Sequence, residues 1–100
     1  MISVKIKKDN TLITEIIVKG HANFADYGSD IVCAATSSII ITTVNALLRI
    51  DEKSIMYEEK EGFLHLKILK TDEVTQTLIT NMIELLKELE KKYPKNIKLL

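Results

Sequence analysis

The stretch IVCAATSSIIITTVNALLR, residues 31–49, decides the fold, because it is long and apolar nearly all round. Its middle, residues 38–44, is rich in β-branched side chains, which on propensity alone favour a strand. The run is too long for one strand, however, and it contains no turn residue. The stretch therefore predicts a buried helix from Ile31 to about Arg49, with Ser29 or Asp30 placed to cap its start.

A β-hairpin is predicted on the N-terminal side of this helix. Residues 2–8 alternate apolar and polar side chains, which is typical of a strand with one buried face. A turn signal follows at Asp9 and Asn10, and residues 11–19 are again rich in β-branched side chains. Gly20 closes this second strand.

A second hairpin is predicted on the C-terminal side. Residues 54–59 and 63–69 flank a turn of Lys60, Glu61 and Gly62, and the second of these segments alternates apolar and polar residues. His65 falls on the outward face of this alternation. We expect it to be solvated and assign it no role.

A final helix is predicted from Glu73 to about Tyr93, capped by Asp72 and stopped by Pro94. Residues 96–100 are long enough for a short last strand. The apolar residues of the helix recur at steps of three and four and form one stripe: Val74, Leu78, Met82, Leu85, Leu86, Leu89 and Tyr93.

The order β-β-α-β-β-α, with a terminal β, predicts an α+β fold in which helices pack on one small sheet. One hundred residues fit a single domain, spanning residues 1–100.

Composition narrows the class of protein. The net charge is zero, and both halves of the chain have nearly equal numbers of acidic and basic residues, so we expect no nucleic-acid footprint. Thr, Ser or charged residues interrupt the apolar stretches, and the N-terminus lacks a signal-peptide pattern, so we expect a cytoplasmic protein without a membrane partner. One cysteine and two histidines cannot form an internal disulfide or a closed four-ligand zinc site.

Cys33 is therefore either a packing residue or a reactive one. If Asp30 caps the helix, Cys33 lies in its first turn, where free N–H groups and the helix dipole stabilise a thiolate. His21 lies where the second strand enters a loop predicted over residues 20–30, and it is the candidate base. The alternatives are inert packing for Cys33 and a surface role for His21.

Asp30 and Ser37 are spaced three and four residues from Cys33, so on a helix the three form one column. Asp30 orients His21, holds a substrate amide, or only caps the helix. Ser37 either donates a hydrogen bond near the reacting carbonyl or bonds its own backbone. Backbone N–H groups at Cys33 and its neighbours are candidates for holding an oxyanion.

The string Gly20-His21-Ala22, followed by Gly28-x-Asp30-Ile31-Val32-Cys33-Ala34-Ala35-x-Ser37, resembles the ribosomal-processing cysteine protease family, known as Prp. The resemblance implies a catalytic dyad of His21 and Cys33, with Asp30 and Ser37 in supporting roles. Thr36 is polar where a small or apolar residue is expected, which is a mild departure.

The resemblance also implies a homodimer that needs no metal or organic cofactor. The implied substrate is the N-terminal extension of a large-subunit ribosomal protein, apolar and aromatic just before the cleaved bond. We expect Phe24, Tyr27 and Ile31 to line a groove for it, and Gly20 and Gly28 to let the loop open and close.

Two other interpretations stay open. In one, the chain is a non-catalytic, ribosome-associated dimer that grips a peptide without cutting it. In the other, it is a redox-sensing or metal-sharing dimer that uses Cys33 and His21 from two chains.

Overall fold

A computed structural model describes residues 1–20 and 27–100, and for residues 27–30 it describes the backbone alone. Within these ranges the α+β order predicted from the sequence is confirmed. The elements in chain order are β1 (Ile2–Asp9), β2 (Leu12–Lys19), α1 (Tyr27–Ile50), β3 (Ile55–Lys60), β4 (Phe63–Ile68), α2 (Glu73–Lys92) and β5 (Ile97–Leu99).

The strands form one mixed sheet in the order β3-β4-β2-β1-β5. All neighbouring pairs are antiparallel except β1 and β5, which are parallel. In register, Val4 lies opposite Val18, and Val18 lies opposite Leu64, so apolar side chains form a continuous row on one face. A bulge between Lys7 and Lys8 shifts the register of the first hairpin near its turn.

Both helices cover the same face of the sheet and pack against each other. The opposite face carries the polar residues of the alternating strands, and no described element covers it. The fully buried core side chains come from both layers: Val4, Ile16, Val32, Ile40, Val44, Leu47, Leu66, Ile79, Met82, Leu86 and Ile97.

Helix α1 begins at Tyr27, four residues before the predicted start. Asp30 is therefore the fourth residue of the helix and not its cap, which corrects the prediction. Gly28 also lies in the helix and not in a loop. A glycine lowers the stability of a helix by about 1 kcal/mol relative to alanine, and for this reason the sequence around Gly28 predicted a loop. Tertiary packing of the 24-residue helix outweighs that cost.

Helix α2 begins as predicted. The Asp72 carboxylate accepts hydrogen bonds from the backbone N–H of Thr75 at 3.2 Å and from its hydroxyl at 2.8 Å. These hydrogen bonds lower the pKa of Asp72. The cap is therefore an ionised carboxylate at neutral pH.

The predicted stripe of α2 is confirmed at five of its seven residues, which are buried or pack against the core: Leu78, Met82, Leu86, Leu89 and Tyr93. It is wrong at two residues. Val74 is 50% exposed and Leu85 is 40% exposed, so neither is core. The side-chain amide of Gln76 accepts a hydrogen bond from the N–H of Ile13 and donates one to its carbonyl, each at 2.9 Å. This pair fixes the first turn of α2 against β2. The buried residues of α2 are Thr75, Ile79, Met82, Ile83 and Leu86.

Within α1, the segment Ile31–Ile50 is long and apolar enough to cross a membrane by length and composition. The sequence argument that Thr and Ser interrupt this stretch is therefore too strict, since its single charge is Arg49. A core helix has the same composition, and this helix contributes Ile40, Val44 and Leu47 to the core.

Candidate active site

An open cleft of about 570 Å³ lies between the N-terminal half of α1 and one end of the sheet. Its floor is mainly apolar, and its charged rim comes from the turn between β3 and β4. The lining residues are Ile2, Val18, Gly20, Cys33, Thr36, Ser37, Ile40, Glu59, Lys60, Glu61, Gly62, Phe63 and Leu64.

Cys33 lies on the wall of this cleft. Its side chain is half-buried and packs against the core, while the neighbouring Val32 is completely buried. Successive helix residues are rotated by about 100°, so the burial of Val32 places Cys33 at the boundary between core and cleft. A thiol in this position is open to a bound chain and is not sealed in the interior.

The start of α1 corrects the electrostatic part of the prediction. Cys33 is the seventh residue of the helix and lies in its second turn. The free N–H groups of a helix belong to its first turn, and the dipole effect falls off over the same distance. The N–H of Cys33 is therefore part of the helical ladder and is no candidate for an oxyanion hole.

Ser37 lies one helical turn after Cys33, is exposed, and lines the same cleft. The structure thus brings these two predicted site residues together, and the role of Ser37 stays a prediction. Ile31 is 38% exposed and does not line the cleft.

Several predicted site residues are not described at the level of their side chains. His21 and Phe24 lie outside the described residues, so the dyad of His21 and Cys33 stays a prediction. Tyr27, Gly28 and Asp30 are described as backbone only, inside α1. Gly28 is the second residue of α1, and its expected part in the opening and closing of the loop stays a prediction.

Gly20 lies at the cleft and is locked in place. Its φ is +112°, and its N–H donates to the carbonyl of Gly62 at 3.0 Å. A Cβ atom added there would lie 2.1 Å from the carbonyl oxygen of Met1. Glycine is thus required by a close backbone approach, and Gly20 fixes the direction in which the chain leaves β2 towards His21.

The rim formed by Glu59, Lys60 and Glu61 was not predicted as part of the site. The hydroxyl of Tyr57 donates to the Glu59 carboxylate, and burial together with this hydrogen bond raises the pKa of Tyr57. The local sequence signals only a hairpin turn here. The pairing of β4 with β2 is what brings this turn to Gly20 and Cys33.

Thr36 also lines the cleft and is 4% exposed. Its hydroxyl oxygen is buried and has no hydrogen-bond partner among the described residues. Thr43, further along the same helix, instead donates to the carbonyl of Ile39 at 3.1 Å. A buried hydroxyl without a partner carries an uncompensated desolvation cost of about 1–3 kcal/mol.

Thr36→Val is therefore expected to raise the free energy of unfolding by about 1 kcal/mol, because valine fills nearly the same volume without the hydroxyl. Urea unfolding measures the change, with Thr43→Val as the matched control. The control removes a hydroxyl that does have a partner and should stabilise less. Equal effects of the two substitutions would contradict an unsatisfied Thr36.

In the part of the chain that the structure describes, no group of three or more His, Cys, Asp or Glu side chains is placed to hold a metal ion.

Comparison with known proteins identifies the family. The family model described as Cysteine protease Prp matches residues 1–98. A Staphylococcus aureus protein named ribosomal processing cysteine protease Prp is 33% identical over 103 residues, covering 99% of this chain and 97% of that protein.

Two crystal structures of the Staphylococcus aureus protein have the same fold. The structure in complex with a substrate peptide has a TM-score of 0.91 at 30% identity and covers 100% of this chain and 98% of its own. The structure with a covalently linked product peptide has a TM-score of 0.87 at 31% identity and covers 99% and 97%. This chain therefore belongs to the Prp family of bacterial cysteine endopeptidases.

Proposed function

We propose that this protein removes the N-terminal extension of a large-subunit ribosomal protein, with Cys33 as the nucleophile and His21 as its base. The observation that carries the proposal is the half-buried thiol of Cys33 on the wall of a cleft of about 570 Å³, in a chain of the Prp family. The names of the relatives, and a substrate peptide bound to one of them, support the substrate class.

In the proposed reaction, His21 takes the proton of the Cys33 thiol, and the thiolate sulfur attacks the carbonyl carbon of the scissile peptide bond. The C–N bond then breaks, and His21 returns the proton to the leaving amine. Water hydrolyses the resulting thioester and restores the thiol. A relative crystallised with a covalently linked product peptide agrees with a covalent intermediate.

The lining of the cleft fits an extended apolar peptide. Val18 and Leu64 contribute apolar atoms to the lining of the cleft, and the exposed Ser37 lies one helical turn from Cys33. Burying the apolar side chains that precede the scissile bond contributes about 25 cal/mol for each Å² removed from water. We expect this burial, and not charge, to provide most of the binding energy.

The proposed reaction takes place in the cytoplasm. Cys33 is the sole cysteine of the chain, and a reducing compartment keeps such a thiol in its active form. Ribosomal proteins are processed before or during assembly in the same compartment.

The test is mass spectrometry of a synthetic peptide that carries the extension and the first residues of the mature ribosomal protein. Incubation with the reduced, folded protein should give two products from one cut. An intact peptide that nevertheless binds in the cleft would instead support the non-catalytic, peptide-binding dimer.

We further propose that the protein is a homodimer and that the outer side of α1 forms the interface. Residues 31–48 carry no charged side chain, yet Ile31 is 38% exposed and Leu48 is 37% exposed. Ala34, Ser38 and Asn45 are also exposed and recur at nearly heptad spacing along the same side. A long, charge-free helix face is typical of a surface that a second copy covers.

Leu48→Asp is expected to convert the dimer to a monomer at micromolar concentration. The substitution buries an unpaired carboxylate in the proposed interface, which should raise the dissociation constant at least about 100-fold. Size-exclusion chromatography with light scattering gives the mass. Leu85→Asp is the matched control, since Leu85 is similarly exposed but lies on α2. Dissociation by both variants alike, or a monomeric wild type, would contradict the assignment.

A further inference from the structure

The face of the sheet that the helices leave open concentrates positive charge. It carries six exposed lysines, which we call the lysine face: Lys5, Lys7, Lys19, Lys60, Lys67 and Lys98. Two glutamates, Glu15 and Glu58, lie among them. The face thus has a formal excess of four positive charges, although the whole chain has a net charge of zero.

The register of the strands shows that these residues share one surface. Lys5 lies opposite Ile17, which lies opposite His65. In the next row, Lys7 lies opposite Glu15, which lies opposite Lys67. Residues paired across neighbouring strands point to the same side of the sheet. The lysines therefore lie around a central strip, formed by Ile17, Phe63 and His65, and are not spread over the molecule.

The two glutamates are occupied by partners on the same face. Glu15 pairs with Lys7 at 3.1 Å and with His65, and Glu58 pairs with Lys60 at 3.3 Å. Hydrogen bonds from His65 and Lys7 lower the pKa of Glu15, which keeps it ionised and held in these pairs. Among the described residues, the remaining four lysines of the face have no ion pair.

The central strip carries rings and apolar surface. Phe63 and His65 follow each other on the same side of β4, with ring centroids 6.4 Å apart. Ile17 lies beside them on β2, and Met56, which is 59% exposed, lies on the edge strand β3 opposite Lys67. Sheet surfaces that bind single-stranded RNA combine such rings, on which bases stack, with cations that contact the phosphates.

We propose that the lysine face binds single-stranded RNA. An acidic peptide would also be attracted by the lysines, but it would make no use of the rings of Phe63 and His65. Even charge along the sequence led to the expectation of no nucleic-acid footprint. That expectation does not take account of the alternation of the strands, which places six of the seven lysines in the five strands on one side of the sheet.

The test measures the fluorescence anisotropy of a labelled single-stranded oligouridylate of about 12 nucleotides. The wild-type protein should bind it with a logarithmic salt slope of about −2 to −3, as expected for three or four phosphate contacts at ~0.7 each. The triple variant Lys5→Gln, Lys67→Gln, Lys98→Gln should bind at least tenfold more weakly. The magnitude of its salt slope should be smaller by about 2. Phe63→Leu should weaken binding about fivefold or more without changing the slope.

The matched control is the triple variant Lys91→Gln, Lys92→Gln, Lys95→Gln, which removes the same charge from exposed lysines at the end of α2 and in the turn after it. It should change the affinity by less than about twofold. Circular dichroism verifies the fold of each variant. The residues changed in the first triple variant do not line the cleft, so cleavage of a short peptide should be unaffected.

Three results would overturn the proposal. The first is no binding by the wild type, and the second is equal weakening by both triple variants. The third is full competition by polyglutamate together with no effect of Phe63→Leu, which would assign the face to an acidic protein segment.

Discussion

Cys33→Ala is expected to abolish cleavage of the extended ribosomal-protein peptide, and His21→Ala to slow it by about 10³–10⁴-fold. Without the sulfur no acyl-enzyme forms, and without the imidazole no base takes the thiol proton. Initial rates followed by mass spectrometry give both values. Ser37→Ala is the matched comparison, because Ser37 lines the same cleft and the loss of one hydrogen-bond donor should cost no more than about 10²–10³-fold.

The thiol itself supplies a second measurement of the same prediction. Because Cys33 lies in the second turn of α1, the helix start does little to stabilise its thiolate, and the activation must come from His21. Alkylation of Cys33 by iodoacetamide should therefore be fast in the wild type at pH 7. In His21→Ala it should be much slower at the same pH, because no base takes the thiol proton. Slow alkylation in both proteins would contradict the dyad and favour the peptide-binding dimer.

The elements predicted from the sequence were those whose signals are local. The alternation of apolar and polar residues over residues 2–8 predicts strand β1, and Asp72 predicts the start of α2. Both signals depend only on residues close together in the chain. The resemblance at residues 20–37 then led to the correct family, because its paired motifs are specific beyond a lone cysteine.

The features that the sequence did not predict depend on contacts between distant segments. One side of the cleft is formed by Glu59 and Gly62, which follow Cys33 by more than twenty residues and reach the cleft only because β4 pairs with β2. The lysine face likewise cannot be recognised from the sequence until the strand order is known. The true start of α1 was missed because Gly28 suggested a loop, and tertiary packing overrode that propensity.

Gly20→Ala is expected to lower the free energy of unfolding by about 3 kcal/mol or more. A side chain at positive φ costs about 1–2 kcal/mol, and forcing an extra carbon into a packed site typically costs a further 1–3 kcal/mol. The second cost is unavoidable here, because the new Cβ would lie 2.1 Å from the carbonyl of Met1. That carbonyl cannot retreat freely, since the next residue, Ile2, is buried and its N–H donates to the carbonyl of Asn96 at 2.9 Å.

Gly62→Ala is the matched control for urea unfolding, because Gly62 also has a positive φ, of +71°, in the turn between β3 and β4. This lies near the left-handed region that Asn10 already occupies at +58°, so the control should cost only about 1–2 kcal/mol. The difference between the two variants measures the close approach at Met1. Equal losses would show that conformation alone makes glycine necessary at Gly20. A larger loss at Gly20 would show that the packing of β1 against the end of β2 fixes the direction of the chain that leads to His21.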